Sequence, residues 1–339
     1  MKCKYVPVDN QKQVWTLHLN PDEQKRVPLV LVHGFGAGAG LWALNLDELA
    51  KRQSVFAIDV LGFGRSSRPD FSGDAAEAEQ QFVESIEQWR KEVGISKFIL
   101  LGHSLGGFIA CSYALRYPEH VRHLILADPW GMHEKPPPGE EPFRIPRWAR
   151  IVAAMLSPFN PLSAVRAAGP YGPRLVQKFR PDLKRKFRRM FSEEDDETVL
   201  NYVYHCNAQN PSGEAAFKAM TIPYGYAKYP MIHRIQDIED HVMMTILYGS
   251  RSWVDSTTGY KMKYLRSKSY VDIQVIPGAG HHIYSDQPER FNWTVSNICD
   301  QTAREDGLDV EELQPPEFPE IDETEAFWNP KNNKNESTD

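Results

Sequence analysis

The sequence predicts an α/β architecture in which a mostly parallel central sheet is flanked by helices. Three observations support this. Short apolar, β-branched runs alternate with segments of helical periodicity. A glycine-bounded serine, Ser104, falls between one such run and a helical pattern. The chain has 339 residues and 41% hydrophobic content, enough to bury a full-sized core in one catalytic domain that carries an insertion.

Taken in order, strands are expected at Val14 to Leu19, Pro28 to His33, Val55 to Val60, Phe98 to Gly102, Leu124 to Asp128, Met243 to Gly249 and Asp272 to Pro277. Between the third and fourth, Phe82, Ile86, Trp89 and Val93 recur at helical spacing and supply one apolar stripe to lay on the sheet. After Asp128 the alternation breaks, and a segment rich in proline, arginine and aromatics runs on to the strand at Met243. It is too long for a structureless loop, so residues 130–240 are expected to form a helical cap inserted where the C-terminal edge of the sheet opens. The core then comprises residues 1–129 and 241–300, with a last helix at Gln287 to Cys299. From residue 301 to 339 the sequence turns to Glu, Asp, Pro and Asn, which cannot offset ordering entropy by burial. A disordered acidic tail is expected there, with Phe327 and Trp328 as its docking point.

Composition narrows the functional classes. A formal net charge of -6 offers no global attraction to a polyanion, so no nucleic-acid partner is expected. Cys3, Cys111, Cys206 and Cys299 are few and widely spaced, without a CxxC pair, which reads as reduced thiols of a cytoplasmic protein. Residues Met1 to Pro7 lack the apolar stretch of a signal peptide, and no run of about 18 apolar residues occurs. Membrane contact would therefore come from surface segments. Lys184 to Phe191 interleaves basic and apolar residues, and reads either as a helix for an anionic membrane surface or phosphate head group, or as a solvated face closing on the acidic run Glu193 to Glu197.

The main chemical signal is Gly102-His103-Ser104-Leu105-Gly106-Gly107, after the apolar run Phe98 to Leu101 and before the helical pattern near Phe108. A strand-to-helix turn holds the serine in a strained conformation, and small neighbours are needed because a Cβ would collide with the turning backbone. The amide of Leu105, at the helix start, can stabilise negative charge. His33-Gly34-Phe35-Gly36 ends another strand and can bring a second amide, that of Phe35, to the same oxyanion. Losing such a donor costs ~3 to 4 kcal/mol of transition-state stabilisation. Late in the chain, Gly278-Ala279-Gly280-His281 places an imidazole where it can reach Ser104, with His282 as its rival. For the acid, chain order favours Asp255, in the loop after Met243 to Gly249, over the alternative Asp128. This chemistry needs neither a metal nor an organic cofactor.

Together with Gly36 to Trp42, Leu61 to Pro69, Asp128-Pro129-Trp130-Gly131 and Asn207 to Glu214, these residues resemble the α/β-hydrolase superfamily. Within it the chain is similar, from Lys4 to Cys299, to the subfamily of abhydrolase-domain-containing proteins 4 and 5. The resemblance implies an α/β-hydrolase fold, a lipid substrate, and nucleophile, acid and histidine at Ser104, Asp255 and His281. One branch of the subfamily resembles serine lipases of N-acylphosphatidylethanolamine and its lyso form. The other resembles a lipid-droplet co-activator of triacylglycerol lipase. The co-activator branch has asparagine in place of the serine, so Ser104 and Asp128 point to hydrolysis. Arg251 and Gly280, by contrast, resemble positions implicated in engaging the partner lipase.

The subfamily's motif of a histidine, four residues and an aspartate falls on His281 and Asp286 and is associated with acyl transfer to lysophosphatidic acid. Asp286 can instead cap the final helix. The chain starts just before its first expected strand, without the subfamily's tryptophan-bearing N-terminal extension, so anchoring through that extension is not expected. The functional expectation is a serine hydrolase of phospholipid-type acyl esters, with peripheral contact at lipid droplets, endoplasmic reticulum or mitochondria. The alternatives are lipase co-activation and acyl transfer.

Overall fold

A computed structural model describes residues 1–9, 11–137, 162–191, 195, 197–318 and 321. Its strands are β1 Lys2–Pro7, β2 Gln13–Leu19, β3 Leu29–Val32, β4 Val55–Ile58, β5 Phe98–His103, β6 Val121–Ala127, β7 Thr221–Ile222, β8 Tyr226–Ala227, β9 Met243–Gly249 and β10 Val271–Ile276. The helices are α1 Leu46–Leu49, α2 Ala75–Val93, α3 Leu105–Arg116, α4 Ser163–Ala167, α5 Gly172–Phe179, α6 Asp182–Phe187, α7 Thr198–Asn207, α8 Ser212–Met220, α9 Thr257–Leu265, α10 Ile283–Asp286 and α11 Pro288–Glu305.

Eight strands form one sheet in the order β1-β2-β4-β3-β5-β6-β9-β10. From β4 to β10 every pairing is parallel, while β1 and β2 join antiparallel at one margin. The expected strands are present, preceded by one the sequence did not announce. In β1 only Val6 is buried, because the strand lies at the sheet margin, so it carries no apolar run.

The strands β3, β4, β5 and β9 are wholly buried, and β6 is buried except at Arg122, as parallel strands covered on both faces require. Two apolar clusters fill the spaces on either side of the sheet. On one side lies α2, whose Phe82, Ile86 and Trp89 are buried, with Val93 packed at the margin. Asp74 starts this helix by accepting from the amides of Ala76 and Glu77, and Gly94, at φ +75°, ends it. On the other side α11 buries Phe291, Val295 and Ile298.

The described part of the segment between β6 and β9 holds α4 to α8 and the short β7–β8 hairpin. Its ties to the sheet run to the loops at the C-terminal ends of the strands: the Gly213 amide donates to the Gly62 carbonyl, and Arg68 donates to the carbonyls of Gly64 and Cys206. No helix of the described residues is long and apolar enough to cross a membrane.

The expected start of the tail at residue 301 is corrected. Helix α11 continues to Glu305, and beyond it the Phe318 ring lies against Trp293 and under the Arg290 guanidinium. Apolar anchors, spaced too widely to form a pattern in sequence, order this stretch. Part of the expected cap, part of the run Glu193 to Glu197, and the Phe327–Trp328 pair lie outside the described residues.

Candidate active site

Ser104 follows β5 directly and stands before the first residue of α3, with φ +53° and ψ -117°. The strain is made tolerable by its neighbours. A Cβ on Gly102 would stand 2.2 Å from the Gly106 carbonyl oxygen, and one on Gly106 would stand 2.3 Å from that of Val32. Side chains at either position would force the turn open. Ser104 is only 8% exposed, so its hydroxyl faces a confined space.

The Ser104 hydroxyl donates to His281 Nε2 at 3.0 Å, and His281 Nδ1 donates to Asp128 Oδ2 at 2.6 Å. Serine, histidine and a carboxylate thus form one hydrogen-bonded line. The carboxylate is not the expected one. Asp128 follows β6, is fully buried, and adopts φ +48°. It also accepts from the Gly249 amide at 3.2 Å and from the Ser252 hydroxyl. Three donors converge on this side chain, so its burial leaves no unpaired polar atom at the end of the line.

Asp255, the acid favoured by chain order, instead binds its own neighbourhood. It accepts from the Thr257 amide at 2.9 Å and from the Thr257 hydroxyl at 2.5 Å, at the start of α9. Its pKa is lowered: partial burial pushes it up, but the two Thr257 hydrogen bonds outweigh that. A carboxylate able to take up hydrogen bonds within two residues is drawn away from a histidine in another loop.

His103 and His282, the histidines flanking this line, are both held well below the ordinary imidazole pKa, first by burial and then by neighbouring cationic groups. They stay neutral at physiological pH. His103 Nε2 donates to the His281 carbonyl at 2.9 Å and so fixes the loop, while His282 is turned toward Arg180, 3.5 Å from its Nη1. Of the two candidates, His281 is the one beside Ser104.

The loop after β3 passes close to the serine. A Cβ on Gly34 would stand 3.0 Å from the Ser104 Cβ, so glycine is needed there to let the Phe35 amide approach. The Leu105 amide begins α3 and has no partner within its own helix. The two expected donors thus belong to the residues directly after Gly34, which passes the Ser104 side chain, and after Ser104 itself. The loop is held from below and from above. Asp59 accepts from the amides of Ala39, at 2.6 Å, and Arg65, at 2.7 Å. From the segment between β6 and β9, Asn207 Nδ2 donates to the Gly36 carbonyl at 2.7 Å, and the Tyr202 hydroxyl accepts from the Gly40 amide at 2.9 Å. Sequence reasoning missed Asp59, Tyr202 and Asn207. The signal was the repeat of glycines at 36, 38 and 40: a Cβ on Gly38 or Gly40 would strike the Tyr202 side chain.

Beside the serine is an aromatic wall. Phe35 and Phe217 have ring centres 4.5 Å apart, Phe217 and Trp130 4.7 Å apart, and the Trp130 amide donates to the Ser104 carbonyl. Trp253, 62% exposed, lies with its ring 5.0 Å from that of His281. Arg251 and Gly280 also come together, since the Arg251 amide donates to the Ala279 carbonyl at 2.8 Å. Asp286 faces Gly280 and Lys186 rather than the serine.

This arrangement is one that can attack an acyl carbon. A family model described as the alpha/beta hydrolase fold matches residues 27–288, and the chain belongs to that family. Within it, the chain is 53% identical over 295 residues to the pig 1-acylglycerol-3-phosphate O-acyltransferase ABHD5, covering 87% of this chain and 84% of that one. It is 52% identical over 298 residues to the human (lyso)-N-acylphosphatidylethanolamine lipase, covering 88% and 86%. Both relatives fall in the subfamily that the motifs resembled. Among solved structures, a bacterial membrane phospholipase A superposes with a TM-score of 0.65 at 24% identity, covering 89% of this chain and 86% of that one, a likeness of fold.

Proposed function

We propose that this protein is a serine hydrolase of phospholipid-type acyl esters, of the lysophospholipase or (lyso)-N-acylphosphatidylethanolamine lipase kind, acting in lipid homeostasis. The observation that carries the reading is the line Ser104–His281–Asp128, with contacts of 3.0 Å and 2.6 Å. His281 takes the hydroxyl proton as Ser104 Oγ attacks the acyl carbon, and Asp128 stabilises the imidazolium. The amides of Phe35 and Leu105 hold the oxyanion, His281 protonates the departing alkoxide, and water then releases the fatty acid from the acyl-enzyme. The aromatic wall of Phe35, Phe217 and Trp130 suits the acyl chain. The segment 130–240 serves as the cap.

Access to a lipid substrate is supported by charge. Residues 162–191 hold nine lysines and arginines and one aspartate, in a chain whose net charge is -6. Tyr171 and Phe179 project from the same stretch, each more than two-thirds exposed. Cations beside exposed aromatics suit peripheral seating on an anionic lipid surface, as at an organelle membrane or a lipid droplet.

The test is labelling with a fluorophosphonate, combined with mass spectrometry of products from lysophospholipid and N-acyl phospholipid. Wild type should label and release fatty acid, and Ser104→Ala should do neither. Equal labelling of the two proteins would overturn the reading. The second reading, co-activation of a triacylglycerol lipase, is favoured by the adjacency of Arg251 and Gly280. Stimulation of such a lipase would then survive Ser104→Ala and fall when Arg251 is replaced.

A further inference from the structure

Asp286 stands neither at the reacting atoms nor at the cap of the last helix. Gln287 occupies the N-cap position of α11, and both nitrogens of His281 are engaged by Ser104 and Asp128. Instead Asp286 Oδ2 accepts from the Gly280 amide at 3.0 Å, while Oδ1 lies 2.8 Å from Lys186 Nζ on α6. Lys186 also meets Asp182 at 2.6 Å, and Asp182 receives two hydrogen bonds of 2.9 Å from Arg180, the residue beside His282. The ion pairs Arg180–Asp182–Lys186–Asp286 therefore form one chain, and polar contacts at its two ends reach the residues that flank His281. The Lys186 and Asp286 side chains are only 10% and 16% exposed, so water and salt screen this pair far less than an ordinary surface bridge.

The loop this chain grips is one that needs holding. It runs Gly278-Ala279-Gly280, and Gly278 has φ +72°, so its backbone has little rotamer or steric restraint of its own. A displacement of the imidazole by about 1 Å can cost on the order of 100-fold in rate.

We propose that Lys186 and Asp286 are a positioning pair: their salt bridge couples the seating of the inserted segment to the backbone at Gly280 and so holds His281 in line with Ser104. The pair acts before the acyl acceptor is chosen, and it serves water and an alcohol acceptor alike. This rests on the Ser104–His281–Asp128 reading of the site.

The experiment uses the full chain as wild type, Lys186→Met, Asp286→Asn and the double variant, with Ser104→Ala as control. Asparagine at 286 keeps an oxygen for the Gly280 amide while removing the charge, and methionine at 186 leaves that hydrogen bond untouched. Measured are the rate of fluorophosphonate labelling, kcat and KM for lysophospholipid hydrolysis, the ratio of acylated acceptor to fatty acid with a lysophosphatidate present, and the urea unfolding midpoint. Each single variant should lower the labelling rate and kcat by about 10-fold with KM nearly unchanged, and the double should fall no further, as coupled residues do. The product ratio should not move. Losses that multiply to about 100-fold in the double, or single variants that label like wild type, would overturn the coupling. Loss of acyl transfer with hydrolysis intact would make Asp286 a participant in transfer and overturn the positioning role. A drop in kcat that merely follows a drop in the unfolding midpoint would assign the pair to stability alone and would also overturn it. Labelling retained in Ser104→Ala marks failure of the underlying site reading instead.

Discussion

Asp128 and Asp255 follow neighbouring parallel strands, β6 and β9, at the same edge of one sheet, yet they sit in opposite environments. Asp128 is fully buried and gathers three donors from two distant parts of the chain, Gly249 and Ser252 at the end of β9 and His281 after β10. Asp255 is exposed and gathers both of its donors from Thr257. A carboxylate satisfied locally is free to remain in water. One that follows the buried apolar run Leu124 to Ala127 is carried inside and must find long-range partners, and the imidazole at 281 is one it finds.

The sharpest way to break this comparison is to neutralise each acid. Asp128→Asn should lower kcat by roughly 10⁴-fold, since the amide no longer stabilises the imidazolium or fixes its tautomer. Asp255→Asn should leave kcat within about 2-fold, because surface changes away from such a network have small effects. The reverse order in steady-state kinetics would restore Asp255 as the acid.

A smaller effect is expected where the inserted segment meets the loop after β3. Asn207→Ala removes the donor to the Gly36 carbonyl, and by loosening the Phe35 amide should cost up to about 100-fold in kcat with little change in KM. An equal loss in KM would place Asn207 in substrate binding instead.

Smaller still is Ser252→Ala. Removing one donor from the buried Asp128 carboxylate should lower kcat by about 10-fold, the scale of one hydrogen bond to a charged group. The same change beside Asp255 has no counterpart in turnover, which sharpens the contrast.

The smallest effect concerns stability alone. Because Asp255 has a lowered pKa, its charged form stabilises the fold at neutral pH, and that contribution is lost as pH falls through the ordinary carboxylate value of 3.8 toward the folded value. Asp255→Asn should therefore unfold more easily than wild type near pH 7. The gap should close in unfolding curves taken below that range.

Much of the architecture was legible because parallel strands buried on both faces are written as uninterrupted apolar runs. The margin strand β1 was not, since an exposed strand has no such signature and is defined by its register with β2. The ordered stretch after α11 escaped for a similar reason: Phe318 finds Trp293 and Arg290 only once the last helix is packed.

By itself the sequence marked Ser104, Phe35 and Leu105 as candidates and narrowed the histidine to His281 or its rival His282, because each is set by the conformational demands of consecutive residues: a strained turn, a close-passing glycine loop, a helix start. Only the tertiary structure put Asp128 rather than Asp255 beside the imidazole: chain order favoured Asp255, but both carboxylates lie between Ser104 and His281 and their place in the chain does not say which one reaches it. It likewise decided that Asn207 and Tyr202 grip the loop after β3 and that Lys186 reaches Asp286. These contacts depend on which strands are neighbours and how the inserted segment is seated, and a buried charge is paired by what folding brings within about 3 Å of it rather than by what precedes it in the chain.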